Sequence, residues 1–272
     1  MNVWFAIPSK RPAPEADATL ALWRERGYRI AVFRDAGDEP LVQAHAAVIG
    51  AYSGYANAVN TLAAEILARD PQAAWIVTGG DDTEPDPAHT AEEIGAQCST
   101  HFYSAIECAY PPSRPSWAYS IVGREGGSGE NAPSWKAWST FGVMQPTGDP
   151  FAGRQIERIC GSPWMGREFC ARVNGGSGPL WHEYVHMFVD EELQEVAVKL
   201  GVLWQRRDLT HKHNHFTREG DAASWAKGNR EMPQFLREAN SPEHWRRFSA
   251  LFQARKAAGF PGHEPVPARV AA

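Results

Sequence analysis

The sequence predicts an α/β domain built on an open, mostly parallel sheet, and three observations carry that prediction. Between Asn2 and Thr78, short apolar runs and helical periods alternate as strand, helix, strand, helix, strand. Each apolar run ends close to a Pro, Gly or Asp, residues that close a strand and open a loop at its carboxyl end. The 272 residues are 43% hydrophobic, which suffices for one sizeable core.

The elements follow in order. Asn2 to Ile7 is rich in Val, Trp, Phe and Ile and stops at Pro8, as a buried strand does. Ala16 to Arg26 switches to a helical period, with Leu20 and Trp23 on one side and Gly27 as the stop. Arg29 to Phe33 is a second strand, ending at Arg34 and Asp35. Tyr55 to Arg69 is a second helix, ended by Asp70-Pro71, and Ala73 to Thr78 is a third strand leading into Gly79-Gly80 and a run of acids. Ser113 to Trp138 carries Gly-Gly-Ser-Gly and several tryptophans without a persistent period, and reads as a long loop of the kind used for lids and binding segments. Phe141 to Met144 is another strand, and Gly161-Ser162-Pro163 is a turn. A helix is expected from His182 to Leu200 with Gly201 as its stop, then a His-rich loop from Thr210 to Phe216 and a helical tail from Ser241 to Ala258. The reading is one catalytic domain, residues 1–216, followed by a helical C-terminal extension, 217–272.

No run approaches the roughly 20 apolar residues of a bilayer span, and the mean hydropathy is -0.43, so no membrane span is expected. The N-terminus places its apolar residues ahead of Lys10 and Arg11, the reverse of a secretory signal, which predicts a cytosolic protein. Cys98, Cys108, Cys160 and Cys170 form no CxxC pair, so reduced thiols are expected. The net charge of -5 is uneven: Trp204 to Ala258 holds 11 Lys and Arg against 6 Asp and Glu. Such a basic end serves either as a polyanion-binding surface or as solvated helix faces.

Four groups of residues are candidates for chemistry. Asp81-Asp82-Thr83-Glu84 follows a strand and two glycines, which would hold hard oxygen ligands for a divalent cation on a tight turn; the other reading is a solvated acidic turn. His211, His213 and His215 alternate, so that in an extended loop two imidazoles point the same way, toward one ion or toward solvent. His182-Glu183-Tyr184-Val185-His186 matches the H-E-x-x-H zinc signature, which requires both histidines on one helical face. Asp190-Glu191-Glu192-Leu193 offers a general base near a helix start, or an acidic turn complementing the helix dipole.

Taken in order, Ile7-Pro8-Ser9, Asp35, Gly54-Tyr55-Ala56-Asn57, Asp81-Asp82-Thr83, and Asp190-x-Glu192-Leu193 with Gly201 downstream resemble the motifs of GT-A fold, family 2-like glycosyltransferases. Gly161 to Phe169 (GSPWMGREF), Tyr184 to Leu193 (YVHMFVDEEL) and Asp208 to Phe216 (DLTHKHNHF) are similar to segments of glycosyltransferases encoded in phage genomes. The resemblance spans about Val3 to Phe216. It implies a GT-A type open mixed sheet flanked by helices, with a C-terminal helical appendage, a nucleotide-sugar half over about 1–110 and an acceptor half over about 139–216. It implies a nucleotide-sugar donor, a UDP-sugar first, against Pro8, Ser9, Asp35, Asn57 and Asp81. Mn²⁺ or Mg²⁺ would sit on Asp82 with His213 or His215, because the motif is Gly80-Asp81-Asp82 and not the fuller Asp-x-Asp. Asp190 carries over as the base of an inverting hexosyl transfer, with Glu191 in reserve, although Val189 stands where the family usually has Glu. The phage likeness implies a hydroxyl acceptor such as hydroxymethylated DNA bases or an envelope glycan in an infected bacterium. Trp164, Arg246 and Arg247 are the acceptor-side candidates, with Trp225 and Trp245 available for stacking. Two other classes stay open: a zinc-dependent hydrolase using His182 and His186, and a non-catalytic sugar- or nucleic-acid-binding module.

Overall fold

The Asn2–Pro8 segment is buried along nearly all its length because it has strands on both edges and helices on both faces. In the computed structural model, which describes residues 1–108, 140–150, 153–214 and 234–266, this strand, β1, pairs in parallel with β2 (Arg29–Arg34) and with β4 (Ala73–Val77). Outside β2 lies β3 (Ala46–Ile49), also parallel. On the other side β4 pairs antiparallel with β7 (Trp164–Gly166), which pairs antiparallel with β6 (Val143–Pro146), and β6 pairs in parallel with β8 (Leu203–Arg206). The seven-stranded order is β3-β2-β1-β4-β7-β6-β8. The sheet is therefore mixed: β7 is inserted against the direction of both its neighbours. A separate two-stranded ribbon joins β5 (Thr83–Glu84) to β9 (Lys212–His213).

Alternation along β1 sorts the core into two layers. Val3, Phe5 and Ile7 pack beneath α1 (Ala13–Glu25) and α3 (Ala91–Cys108), with Trp23 stacked on Phe5 at 3.7 Å. Trp4 and Ala6 face α2 (Tyr55–Arg69), α4 (Arg167–Arg172) and α5 (Val189–Lys199). The same layer takes in Phe248 and Phe252 of α7 (Pro242–Ala257), which follows the short α6 (Gln234–Ala239). Cys98, Cys160 and Cys170 are buried free thiols.

Three expectations change. The C-terminal helix is part of the core and not an appendage, since Arg255 forms a buried bidentate pair with Glu192 of α5, Nη2 to Oε1 at 2.7 Å and Nε to Oε2 at 2.9 Å. Tyr184 donates its hydroxyl to the same carboxylate at 2.7 Å, and the Arg255 guanidinium lies 3.4 Å from the Trp181 ring centroid. The helix expected from His182 starts at Val189. Residues 182–188 are turns because the Tyr184-Val185 backbone is drawn onto the start of α2: Tyr55 N donates to Val185 O at 2.6 Å, and a Cβ on Gly54 would come within 2.8 Å of Val185 Cα. Phe188 then reverses the chain in the left-handed region at φ 67°. The third change is in the sheet, where the sequence reading left out β3, β7 and β8. The expected loop from Ser113 to Trp138 lies outside the described residues. Among the described residues no helix is long and apolar enough to cross a membrane.

Candidate functional site

The strands β1, β2 and β4 all end on the same edge of the sheet, and their carboxyl ends open into a cleft of about 1030 Å³. Parallel strands place such a cleft where loop residues from several crossovers converge. Pro8, Ser9, Lys10 and Arg11 enter it from β1, Asp35 from β2, and Thr78 to Asp82 from β4. Tyr55 comes from the first turn of α2, His186 to Glu191 from the approach to α5, His213 from β9, and Glu238 to Asn240 with His244 and Trp245 from the C-terminal helices.

The acidic turn is built by two glycines and a ribbon. A Cβ on Gly80 would lie 2.3 Å from Asp82 Oδ1, so a side chain there would push the Asp82 carboxylate from its place. Thr83 anchors the turn by accepting from Gly80 N at 3.2 Å, and Trp23 Nε1 donates to Thr83 O at 2.7 Å. The β5–β9 pairing sets Thr83 opposite His213, while Asn214 N donates to Asp82 O at 2.9 Å. His213 Nε2 is thereby brought to 3.2 Å from Asp82 Oδ1. Asp81 accepts from Ser9 Oγ at 2.7 Å and from Arg11 Nε at 2.7 Å, and Arg11 Nη2 lies 3.3 Å from Asp82 Oδ2. Burial works against the Asp82 charge, but the His213 hydrogen bond and the Arg11 charge outweigh it and hold this carboxyl below its usual range.

Across the cleft, Asp190 and Glu191 begin α5 side by side. Burial, and then the hydrogen bond and charge of Asp190, push Glu191 up to about 9, so Glu191 keeps its proton at neutral pH and donates it to Asp190. Burial lowers the neighbouring His186, with Asp190 opposing, which keeps that ring neutral. Tyr55 is fixed by Thr78, hydroxyl to Oγ1 at 2.9 Å, and by donation to Gly79 O at 3.2 Å.

Of the residues singled out from the sequence, Pro8, Ser9, Asp35, Asp81, Asp82, Asp190, Glu191 and His213 all line this one cleft. Others do not. Trp164 is fully buried on β7, its Nε1 3.4 Å from His211 Nε2, and cannot meet an acceptor. Asn57 is not among the cleft-lining residues, because on a helix it lies about 200° round from Tyr55, which is. Arg246 and Arg247 are exposed on α7 and do not line the cleft, whereas Trp245 beside them does, 52% exposed and 4.9 Å from Phe188. His211 is buried against Ser162, 2.7 Å away, and burial lowers it to about 3, so it is a neutral packing residue and no ligand. His215 and Trp225 lie outside the described residues. The H-E-x-x-H match occupies turns; His186 lines the cleft and exposed His182 does not. The sequence reading missed Arg11 as a site residue, which no local motif marks; Tyr55 it held only as part of the Gly54-Tyr55-Ala56-Asn57 motif, and Trp245 only as a stacking side chain.

Asp82 and His213 offer carboxylate oxygen and imidazole nitrogen in contact with each other, a donor set suited to Mn²⁺, whereas Mg²⁺ would draw on the Asp82 oxygens alone. Among the described residues no group of three or more His, Cys, Asp and Glu side chains surrounds a common point, so phosphate and water oxygens would have to complete the sphere. The fold and the cleft thus define an α/β protein with an acidic site at the carboxyl edge of a mixed sheet. No family model and no curated protein matches the chain.

Proposed function

We propose that this protein is a metal-dependent glycosyltransferase that moves a sugar from a nucleoside diphosphate-sugar to a hydroxyl acceptor. The observation that carries the reading is the convergence of Ser9, Asp35, Asp81, Asp82 and His213 on one side of a single cleft with Asp190 and Glu191 on the other. Ser9, Asp35 and Asp81 are hydrogen-bonding groups suited to the ribose and base of a nucleotide, with a UDP-sugar as the first donor to try. Asp82 would hold Mn²⁺ together with His213, or Mg²⁺ by itself, and either ion when bound supplies positive charge to a diphosphate leaving group. Asp190 accepts the proton of the acceptor hydroxyl as its oxygen bonds to the anomeric carbon. The bond from that carbon to the diphosphate oxygen breaks, and the nucleoside diphosphate leaves with the electron pair. Protonated Glu191 holds Asp190 by its hydrogen bond and does not compete for the substrate proton.

The acceptor is better described as a neutral hydroxyl compound than as DNA. Among the described cleft-lining residues, Lys10 and Arg11 face seven carboxyl groups, a surface that repels a phosphate backbone. Several tail cations are already paired, Arg206 with Asp208, Arg207 with Glu157, Arg255 with Glu192 and Lys256 with Glu195. The zinc-hydrolase alternative loses the helical face that would bring His182 and His186 together.

Thermal unfolding with UDP and UDP-sugars, with and without Mn²⁺, tests the reading. A ligand at 100 times its Kd stabilises the fold by about 2.7 kcal/mol. The gain should require Mn²⁺ and disappear in Asp82→Ala. A gain unchanged in EDTA and in Asp82→Ala, or none with any nucleotide, would reject it.

A further inference from the structure

Every carboxylate oxygen of the Asp81-Asp82 pair already faces a group of this chain. Arg11 spans the two, Nε to Asp81 Oδ1 and Nη2 to Asp82 Oδ2; Ser9 Oγ occupies Asp81 Oδ2; His213 Nε2 meets Asp82 Oδ1. A guanidinium and a divalent cation make the same demand on Asp82, and two cations crowded onto one carboxylate repel strongly in a half-buried site. One must move. The Arg11 backbone is not free to do so, because buried Arg34 donates through Nη1 to the carbonyls of Ser9 at 3.1 Å and Arg11 at 2.8 Å, and through Nη2 to Glu39 O at 2.9 Å. The Arg11 side chain, 25% exposed and lining the cleft, is held by ion pairs to Asp81, to Asp82 and, at 3.9 Å, to the exposed Glu15, and can turn about this fixed point by exchanging them. Lys10, the other cation among the described lining residues, is held by Asp35 at 3.0 Å.

We infer that Arg11 is an exchangeable counter-ion: its guanidinium neutralises Asp81 and Asp82 in the unliganded protein, and passes to the diphosphate of the donor when a divalent cation takes Asp82. Planar guanidinium suits both partners, since its fork matches the oxygens of a carboxylate and of a phosphate alike. The exchange keeps the site near charge balance in both states and makes metal and nucleotide bind together more readily than either alone. Arg11 is thus a positioning residue for the donor. The inference rests on the glycosyltransferase reading for the identity of the diphosphate.

Calorimetric titration of the full chain with MnCl₂ alone, and with UDP at saturating MnCl₂, tests it in the wild type, Arg11→Gln and Arg11→Lys. Arg11→Gln removes the competitor and the phosphate contact together. It should bind Mn²⁺ alone about tenfold tighter and UDP about tenfold weaker, the size of one charge-assisted hydrogen bond. Arg11→Lys keeps the charge without the fork and should fall between on both axes. A wild type that binds both ligands while Arg11→Gln changes neither affinity overturns this inference and leaves the glycosyltransferase reading standing. Loss of Mn²⁺ and UDP binding together in Arg11→Gln, in a chain that still melts cooperatively, overturns it in favour of a purely structural arginine. A wild type that binds neither ligand overturns both the inference and the reading beneath it.

Discussion

Glu191→Gln should stabilise this protein, and by an amount that grows with pH. The carboxyl of Glu191 loses its proton near 4.5 in an unfolded chain but is pushed up to about 9 in the fold, where burial and the adjacent Asp190 disfavour its charge. A carboxyl raised in this way contributes stability that is fully present below 4.5 and is lost as the pH climbs through 9, because in that window the unfolded chain has released a proton that the native state still holds. The slope for one such group is about 1.4 kcal/mol per pH unit. Over the roughly 2.5 units to pH 7 this amounts to at most about 3.5 kcal/mol, and partial exposure of the carboxyl brings it nearer to about 2 kcal/mol. Gln has the same shape, still donates to Asp190, and has no proton to lose. Urea unfolding of both proteins at pH 5, 6, 7 and 8 isolates the effect, since every titrating group that does not interact with Glu191 cancels in the difference, and Asp190 is ionised across this range in both. The midpoints should nearly coincide at pH 5 and separate steadily toward pH 8, with the variant the more stable. Asp190→Asn in an otherwise unchanged chain should flatten the wild-type slope in part, by removing the hydrogen-bonded neighbour while leaving the burial. A difference independent of pH, or a variant less stable at pH 8, would refute the assignment of the proton to Glu191.

Two further outcomes follow from the same structure. Asp190→Asn should lower kcat for transfer by about 10²- to 10⁴-fold while leaving UDP-sugar affinity unchanged, because it removes only the proton acceptor; steady-state kinetics beside a binding titration separates the two, and wild-type turnover would remove Asp190 from the reaction. Arg255→Ala should destabilise the fold by about 3–5 kcal/mol in urea unfolding, since it strands the buried Glu192 carboxylate, and a loss under about 1 kcal/mol would mean that the pair is solvated.

Strands β1, β2 and β4 and helices α1 and α2 were legible because the local signals agreed with one another. β1, β2 and β4 are apolar runs buried on both faces, and Gly, Pro and Asp punctuate them. β3 escaped because Ala-Ala-Val-Ile alternates half-buried and exposed at the sheet edge, too short and small to distinguish from a loop. β7 is three residues long, and its place between β4 and β6 depends on partners about 90 residues away in β4 and some 20 away in β6, which no local window spans. The start of α5 was misjudged by seven residues because what stops the chain from winding earlier is Val185 against Gly54, a contact between distant segments. The site divides the same way. Asp82 and Asp190 were visible as acids at the ends of predicted elements, whereas Arg11 acquires its meaning only by folding back on Asp81, 70 residues along the chain. Trp164 shows the converse error, a conspicuous aromatic in a suggestive motif that is simply core.

The Arg255–Glu192 pair has a consequence for how the protein is made. The cleft takes its first wall from residues near position 8 and its last from residues near 245, and the clamp that presses α7 onto α5 closes only when position 255 is available. During synthesis the parallel strands at the N-terminal end can assemble early from near neighbours, but the face that carries Asp190 waits for a partner 63 residues further on. A nascent chain therefore acquires its sheet well before it acquires its chemistry, and a ribosome stalled short of α7 would display a half-built protein with the apolar ground for Phe248 and Phe252 uncovered, a natural handle for chaperones.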